Sequence, residues 1–270
     1  MSLPQAEIEY LEAVRAAVQR ELAPHLLGLY IFGSAGCDAY EPGVSDLDVQ
    51  AVVDAPLPDA EKRALAALLS HAVLPCPARK LEFVCYARGA VNPASRRPRF
   101  ELNFNTGPER AERGQGDHLR LDPADEAGHW FLLDIAASRL RGLALHGPPP
   151  GEMFAPVPDA WRDEALLESL CWHETHEVRE EGATVSANAI LNACRAWQWA
   201  EIGAPLSKRE AAQRALARPD CVPLVGAALR ARAEGGAVAD EDGYARVFLG
   251  FCKGRVGAKA AHFLHASPRT

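Results

Sequence analysis

The sequence predicts an α+β protein, in which a small mixed sheet flanked by helices is followed by an α-helical bundle. Short apolar or alternating segments, typical of strands, occur only in the first half of the chain. Helical patterns fill the second half. Between them, residues 146–159 bring several prolines and glycines together. We therefore expect one domain over residues 1–150 and a second over residues 151–270.

The first half mixes helical and strand patterns. Apolar residues recur at helical spacing from Ile8 to Leu22, and Pro24 ends this helix. Further helices are predicted at residues 59–74 and 126–145. Strands are predicted at residues 28–32, 46–53, 81–86 and 100–104. The second half contains no convincing strand, and its helical patterns cover residues 160–180, 186–202, 207–217, 222–234 and 241–264.

Composition excludes several classes of protein. The chain has 270 residues and a formal net charge of -7, which disfavours a surface that coats nucleic acid or tracks a template. Its seven cysteines are odd in number, irregularly spaced and without a C-x-x-C pair, so neither a disulfide framework nor a structural zinc site is expected. No apolar run resembles a signal peptide or a membrane span. We expect a cytoplasmic protein that acts without nucleic acid or membrane, as a monomer or weak dimer.

Two aspartates open the second predicted strand, in the sequence Ser45-Asp46-Leu47-Asp48. Because side chains alternate along a strand, Asp46 and Asp48 point to one face while Leu47 points to the core. Neighbouring carboxylates repel each other, and a divalent cation between them removes that cost. Magnesium suits such a site, since it takes few protein oxygens and fills its other positions with water and phosphate oxygens.

A glycine and a serine end the preceding strand, in the sequence Phe32-Gly33-Ser34. Glycine at a strand end lets a phosphate approach the backbone, where a following N–H group and the Ser34 hydroxyl can donate hydrogen bonds. A phosphate cradle and metal ligands on adjacent strands favour nucleotidyl transfer. A Gly-Ser pair or an Asp-x-Asp motif alone is common in surface strands and turns. The prediction of nucleotidyl transfer rests on finding the two motifs together.

Glu82 is the candidate for a third carboxylate. It lies within the apolar strand Leu81 to Tyr86, on the face opposite Leu81, Phe83 and Cys85. It could take the proton from an attacking hydroxyl group, or it could be a further metal ligand. The sequence leaves both roles open, together with the simpler possibility of a carboxylate on an edge strand.

These segments resemble the nucleotidyltransferase superfamily related to DNA polymerase β, and more closely the aminoglycoside 3''-adenylyltransferase family. The resemblance rests on LYIFGSAGCDAYEPGVSDLDVQAVV, LEFVCYA, RPRFELNF, RLRGLALHGPPPGEMFAPVP and ANAILNACRAWQWAEIGAPLSKREAAQRA. It covers most of the chain. The first segment is specific for the superfamily, and the last indicates this family.

The resemblance implies roles for individual residues. Asp46 and Asp48 match the metal-binding aspartates and Glu82 matches the catalytic base. Gly33 and Ser34 match the pair that binds the triphosphate of ATP. In the helical domain, Arg195 and Lys208 match basic residues that reach the nucleotide, and Trp172 matches a tryptophan beside the aminoglycoside pocket.

Lys208 also has a physical argument of its own. Ser207 and Glu210 are spaced as a capping box, which places Lys208 and Arg209 in the first turn of a helix. Acidic residues are usual there, so two cations are mildly unfavourable unless an anion binds. A solvated basic pair is the alternative.

The substrate-binding half departs from the family pattern. Gly107 stands where the family has a tryptophan that packs on the aminoglycoside, and Val185 stands nearest to its drug-binding acidic residue. Aminoglycosides are polycations that require an acidic pocket. Glu180 and Glu181, with the run His173 to Glu177, could supply one, although such runs are more often solvated helix faces.

We therefore expect Mg²⁺-dependent transfer of AMP from ATP to a hydroxyl group, with release of pyrophosphate. The resemblance implies the 3''-hydroxyl of streptomycin or the 9-hydroxyl of spectinomycin as the acceptor. Two alternatives stay open. The enzyme could adenylylate a different hydroxyl acceptor, or the chain could be a nucleotide-binding regulator without catalysis.

Overall fold

A computed structural model describes residues 3–178, 184–240 and 242–266, with Asp125 and residues 260–266 described for the backbone alone. The chain divides into two compact units, Met1–Val157 and Pro158–Thr270. The first is a sheet with helices and the second is predominantly helical, which confirms the predicted α+β class. Residues 151–157, which the sequence assigned to the second domain, belong to the first unit, where Phe154 packs edge-on against Tyr30.

A six-stranded mixed sheet forms the centre of the first unit. Its strands are β1 (Leu26–Ile31), β2 (Leu47–Val53), β3 (Leu81–Ala87), β4 (Leu102–Thr106), β5 (His118–Arg120) and β6 (Leu143–His146). Their order in the sheet is β5-β4-β3-β2-β1-β6. Strands β2 and β3 are parallel, and every other pair is antiparallel. The two strands that carry the predicted carboxylates are therefore direct neighbours at the centre of the sheet.

The helices of this unit differ widely in length. They are α1 (Gln5–Leu22), α2 (Gly33–Gly36), α3 (Asp59–Leu69), α4 (Arg88–Val91), α5 (Pro108–Glu112), α6 (His129–Arg141) and α7 (Pro150–Met153). Helices α1 and α3 contribute to a core with one face of the sheet, and α6 contributes to a core with the other. The sheet is thus covered on both faces.

Side chains alternate between the two faces as the sequence predicts. In β2 and β3 the first core contains Leu47, Val49, Ala51, Val53, Leu81, Phe83 and Cys85. The second core contains Val52, Val84 and Tyr86 from these strands, with Tyr30 of β1 and Phe131 and Ile135 of α6. Asp48, Gln50 and Glu82 belong to this second face by the same alternation.

Several element boundaries in the first unit differ from the prediction. Strand β4 begins at Leu102 rather than at residue 100, and helix α3 ends at Leu69 rather than at residue 74. The helix expected over residues 126–145 ends at Arg141, and Leu143–His146 instead forms β6, which pairs with β1. Gly142 makes this reversal possible, because its backbone is extended and a Cβ atom there would lie 2.5 Å from the Ser138 carbonyl oxygen.

The second unit contains five helices of eight or more residues in the part that the structure describes. They are α8 (Asp159–Glu177), α9 (Ala187–Ile202), α10 (Lys208–Ala215), α11 (Val222–Glu234) and α12 (Tyr244–Ala266). Helix α9 packs against all four others, and the indole of Trp197 meets Phe251 edge-on at 5.1 Å between ring centroids. Two short strands, β7 (Thr184–Val185) and β8 (Val238–Ala239), pair with each other and were not predicted.

All seven cysteines are free thiols, as expected from their spacing. Among the described helices, none combines the length and the apolar character that crossing a membrane requires.

Candidate active site

The two aspartates lie where β2 begins. Asp46 directly precedes the strand, and Asp48 is its second residue. The backbone N–H of Phe32 donates to the Asp48 carbonyl oxygen at 3.0 Å, which ties the end of β1 to the start of β2. In the parallel register Asp48 stands directly beside Glu82 of β3. The structure therefore brings together the three carboxylates that the sequence singled out.

Gly33 follows β1 in a conformation that requires glycine. Its φ is 61°, and a Cβ atom at this position would lie 1.8 Å from Oδ2 of Asp48. The backbone can thus approach the carboxylate only because residue 33 has no side chain. Ser34 follows in the first turn of α2, whose amide groups lack partners within the helix. The phosphate-binding role of Gly33 and Ser34 stays a prediction.

Lys80, which the sequence analysis did not single out, directly precedes β3 and pairs with two of the carboxylates. Its Nζ lies 3.6 Å from Oδ2 of Asp46 and contacts Oε1 of Glu82. Burial alone would lower the pKa of Lys80, but Glu82 and Asp46 raise it above its usual value. The ammonium group therefore stays charged and offsets part of the cluster's negative charge. The sequence signal that could have identified Lys80 is its position directly before a strand that contains a carboxylate.

The environment of Asp48 shows how strongly negative charge is concentrated here. Burial raises its pKa well above the usual value, and the charges of Glu82, Asp46 and Asp134 raise it further, against the opposing effect of Lys80. Asp134 comes from α6, far away in sequence, and no local pattern marked it. A second cation at this position would stabilise the ionised form of Asp48.

The donor set fits a magnesium ion that is shared with a nucleotide. In the described part of the chain, no three acidic, histidine or cysteine side chains form a preformed metal cage. Magnesium does not need one, because it binds through one or two carboxylates and completes its shell with water and phosphate oxygens. Asp46 and Asp48 are the residues that would hold it. Whether Glu82 also binds metal stays a prediction.

The second unit joins the two predicted basic residues in one hydrogen-bond network. Nζ of Lys208 donates to Oδ1 of Asn188 at 2.7 Å, and Nδ2 of Asn192 donates to the same oxygen at 3.1 Å. Nη1 of Arg195 donates to Oδ1 of Asn192 at 3.3 Å. The two asparagines thus connect Arg195 to Lys208. The sequence analysis missed them, because a helical asparagine carries no signal without its partners.

Glu177, at the end of α8, extends this network. Its Oε1 accepts from Nδ2 of Asn188 at 3.2 Å, and its Oε2 lies 2.9 Å from Nδ1 of His173. Burial raises the pKa of Glu177, but His173, Asn188 and Lys208 outweigh burial and lower it overall. Glu177 is therefore an anion within a polar cluster rather than part of a solvated face.

The remaining predicted substrate residues have different outcomes. Trp172 of α8 is half-buried, and its ring stacks on His176 at 4.5 Å between centroids. Glu180 and Glu181 lie outside the described residues, so their roles stay predictions. His173 and His176 bind Glu177 and the Trp172 carbonyl oxygen, respectively, and they share no metal cage among the described groups.

The predicted capping box at α10 is confirmed. Oγ of Ser207 accepts from the backbone N–H of Glu210 at 3.1 Å, and the Glu210 carboxylate accepts from the backbone N–H of Ser207 at 2.9 Å. Lys208 is then the first residue of the helix, and Asn188 accepts a hydrogen bond from its ammonium group.

Structure explains both departures from the family pattern. At Gly107, φ is 146° and a Cβ atom would lie 2.6 Å from the Cα atom of Lys80, so a tryptophan cannot occupy this backbone position. Val185 is buried and pairs with Val238 in the short sheet. Both positions serve packing in this chain.

The chain is similar in sequence to proteins of one known family. Residues 152–247 match the model of the aminoglycoside adenylyltransferase C-terminal domain. Two relatives named aminoglycoside (3'') (9) adenylyltransferase, from Klebsiella pneumoniae and Escherichia coli, are each 29% identical over 215 residues. The match spans 77% of this chain and 78% and 77% of the two relatives.

A solved structure supports the fold over nearly the whole chain. Spectinomycin adenyltransferase AAD(9) from Enterococcus faecialis, determined with ATP and spectinomycin, matches with a TM-score of 0.69. The match covers 93% of this chain and 99% of that one at 19% sequence identity. The chain is therefore similar in sequence to aminoglycoside adenylyltransferases over most of its length, and it shares the fold of spectinomycin adenyltransferase AAD(9).

Proposed function

We propose that the protein transfers AMP from ATP to a hydroxyl group of an aminoglycoside-type antibiotic, in a Mg²⁺-dependent reaction that releases pyrophosphate. The acceptors we propose are the 3''-hydroxyl of streptomycin and the 9-hydroxyl of spectinomycin. The observation that carries the proposal is the pairing of Asp48 with Glu82 on adjacent strands, beside the glycine turn at residue 33.

Each group in the first unit has a distinct role in this proposal. Gly33 and Ser34 bind the triphosphate, and Asp46 and Asp48 hold the metal ion, which when bound neutralises charge on the phosphate oxygens. Glu82 accepts the proton of the acceptor hydroxyl. The oxygen then forms a bond to the α-phosphorus as the bond from that phosphorus to the bridging oxygen breaks, and pyrophosphate leaves with that oxygen.

Lys80 must change partners for Glu82 to act as this base. In the structure the ammonium group contacts Glu82 and lies near Asp46. A divalent cation held by Asp46 and Asp48 would supply positive charge that Lys80 now provides to the cluster. Release of Lys80 then leaves the Glu82 carboxylate available to the acceptor.

In the second unit, we propose that Arg195 and Lys208 bind the nucleotide, as the family resemblance implies. Glu177 is an anion whose pKa is held below its usual value, so it can attract a cationic acceptor at neutral pH. The half-buried ring of Trp172 offers an apolar surface for a sugar ring.

Mass spectrometry tests the proposal directly. Purified protein is incubated with ATP, Mg²⁺ and either streptomycin or spectinomycin, and the drug is then analysed for an added AMP group. We expect an adduct on at least one drug, and none when Asp48→Asn replaces the native protein. Glu112→Gln, at an exposed position of α5, is the matched acidic control and should retain activity. Absence of an adduct on both drugs contradicts the proposed acceptors.

A different hydroxyl acceptor is the second candidate. Gly107 and Val185 favour it, because these positions cannot supply the tryptophan and the acidic contact that the family uses for its drugs. A panel of hydroxylated acceptors with ATP labelled at the α-phosphate distinguishes the candidates. Transfer of label to another sugar or to a protein hydroxyl, with none to either drug, supports this second candidate.

A further inference from the structure

The sheet separates the two sides from which substrates can approach Glu82. On one side of β3 lies β2 with Asp48, and beyond it β1 with the Gly33 turn. Pyrophosphate departs on that side, because the turn and the aspartates hold the triphosphate in our proposal. In-line displacement places the attacking oxygen opposite the leaving group. The acceptor must therefore approach from the side of β4 and β5.

A polar row leads from Glu82 in that direction. Asn105 of β4 is the direct cross-strand partner of Glu82, and His118 of β5 is the direct partner of Asn105. The side chains of Glu82 and His118 are 39% and 28% exposed, and Asn105 is half-buried. Directly opposite residues on one face lie close enough for their side chains to touch one ligand.

Hydrogen bonds fix the orientation of Asn105. Its Nδ2 lies 3.4 Å from Oδ1 of Asn103 and 3.5 Å from Nδ1 of His118. Asn103 is 9% exposed, and its side-chain oxygen holds the Asn105 amide through the first of these hydrogen bonds. Both hydrogen bonds of Asn105 within the described residues use Nδ2, so Oδ1 can accept a hydrogen bond from a ligand.

Local charge selects which part of a ligand fits here. Burial, Arg120 and Arg110 lower the pKa of His118, so its ring is neutral at pH 7. Glu126 lies 4.0 Å from Nε2 of His118 and 3.8 Å from Nε of Arg120 and offsets part of this positive charge, but the two arginines together still disfavour an ammonium group. A hydroxyl group is not, because it can donate to the Asn105 oxygen and exchange a hydrogen bond with the neutral imidazole.

We propose that Asn105 and His118 form an acceptor subsite that binds an uncharged hydroxyl group next to the reacting one. The inference rests on the proposed function and deepens it. The subsite positions the reacting hydroxyl against Glu82, while cationic groups of the acceptor bind elsewhere. Asn105 and His118 are thus specificity residues for the sugar part of the acceptor.

Steady-state kinetics with whichever drug the wild type adenylylates test this subsite. We expect Asn105→Ala to raise the KM for the drug about tenfold, the effect of losing one hydrogen bond worth about 1.4 kcal/mol, with the KM for ATP unchanged. His118→Phe keeps a ring but removes its polar atoms, and should raise the same KM severalfold. His25→Ala, whose half-exposed ring pairs with Asp54 at the start of β1, is the control and should change neither constant.

The possible results separate this inference from the proposed function. Drug adenylylation by the wild type with an unchanged drug KM in Asn105→Ala overturns the subsite alone. Equal increases in both KM values overturn it as well, because they indicate general damage around Glu82. If Asn105→Ala unfolds, Asn105→Leu replaces it, because leucine is of similar size and removes both polar atoms; the KM for the drug should again rise while the KM for ATP stays unchanged. No adduct in the wild type removes the proposed function and this inference with it.

Discussion

The two faces of the central sheet are built from the same strands but serve different purposes. On the face toward α1 and α3, every side chain of β2 and β3 is apolar and buried. On the other face, apolar residues are covered by α6 at one end, and carboxylates gather at the other. Alternation along one strand thus supplies two environments, an apolar face that packs the core and a face on which the candidate site is built.

Replacing Glu82 tests the polar face and has the largest expected effect. We expect Glu82→Gln to lower the turnover of AMP transfer by roughly 10²- to 10⁴-fold, because an amide cannot take the acceptor's proton. Stability should stay equal or increase, since the change removes one negative charge from a crowded cluster. Turnover within threefold of the wild type would contradict the assignment of Glu82 as the base.

Replacing Phe83 tests the apolar face of the same strand. Phe83 is fully buried, and truncation to alanine leaves a cavity in the core. We expect Phe83→Ala to lower the free energy of unfolding of the first unit by about 3–5 kcal/mol, measured by urea denaturation. Leu140→Ala, at a side chain that is 53% exposed, should change it little. A small effect of Phe83→Ala would show that this face is not the main stabilising core.

Removing Lys80 tests the charge balance of the polar face. In the presence of a chelator, we expect Lys80→Met to cost about 1–2 kcal/mol of stability, because three carboxylates lose their counter-ion. Added Mg²⁺ should then raise the melting temperature of the variant more than that of the wild type. Lys62, whose Nζ lies 3.0 Å from Glu101 and 3.6 Å from Asp59, outside the carboxylate cluster, provides the control. If added Mg²⁺ raises the melting temperature of Lys62→Met equally, the stabilisation by Mg²⁺ is not specific to the carboxylate cluster around Asp46.

Gln50 offers the smallest and most unusual test. It is fully buried on the polar face, and neither atom of its amide has a hydrogen-bond partner among the described residues. A buried unpaired amide is costly, so we expect Gln50→Leu to stabilise the protein by about 1 kcal/mol in thermal or urea unfolding. Destabilisation instead would show that an internal water binds the amide.

The sequence predicted local features well and distant ones poorly. Strand alternation placed Asp48 and Glu82 on one face, because a period of two depends only on neighbouring residues. The capping box at Ser207 was equally local. Strands β5 and β6 were missed because they are short and become strands only by pairing with β4 and β1.

The same distinction applies to the candidate site. Lys80 and Asp134 act on the carboxylates only once β3 and α6 are in place. Asn188 and Asn192 connect Arg195 to Lys208 across two helices. Such contacts arise from tertiary packing, and the spacing of residues along the chain does not predict them.

Titration of the protein with Mn²⁺, followed by water-proton relaxation, tests the central claim most directly. If the carboxylates at the start of β2 hold a divalent cation, the wild type binds Mn²⁺ and Asp46→Asn and Asp48→Asn each weaken binding about tenfold or more. Asp54→Asn, an exposed aspartate that pairs with His25, should leave the affinity unchanged. Equal affinity in all four proteins would contradict the account.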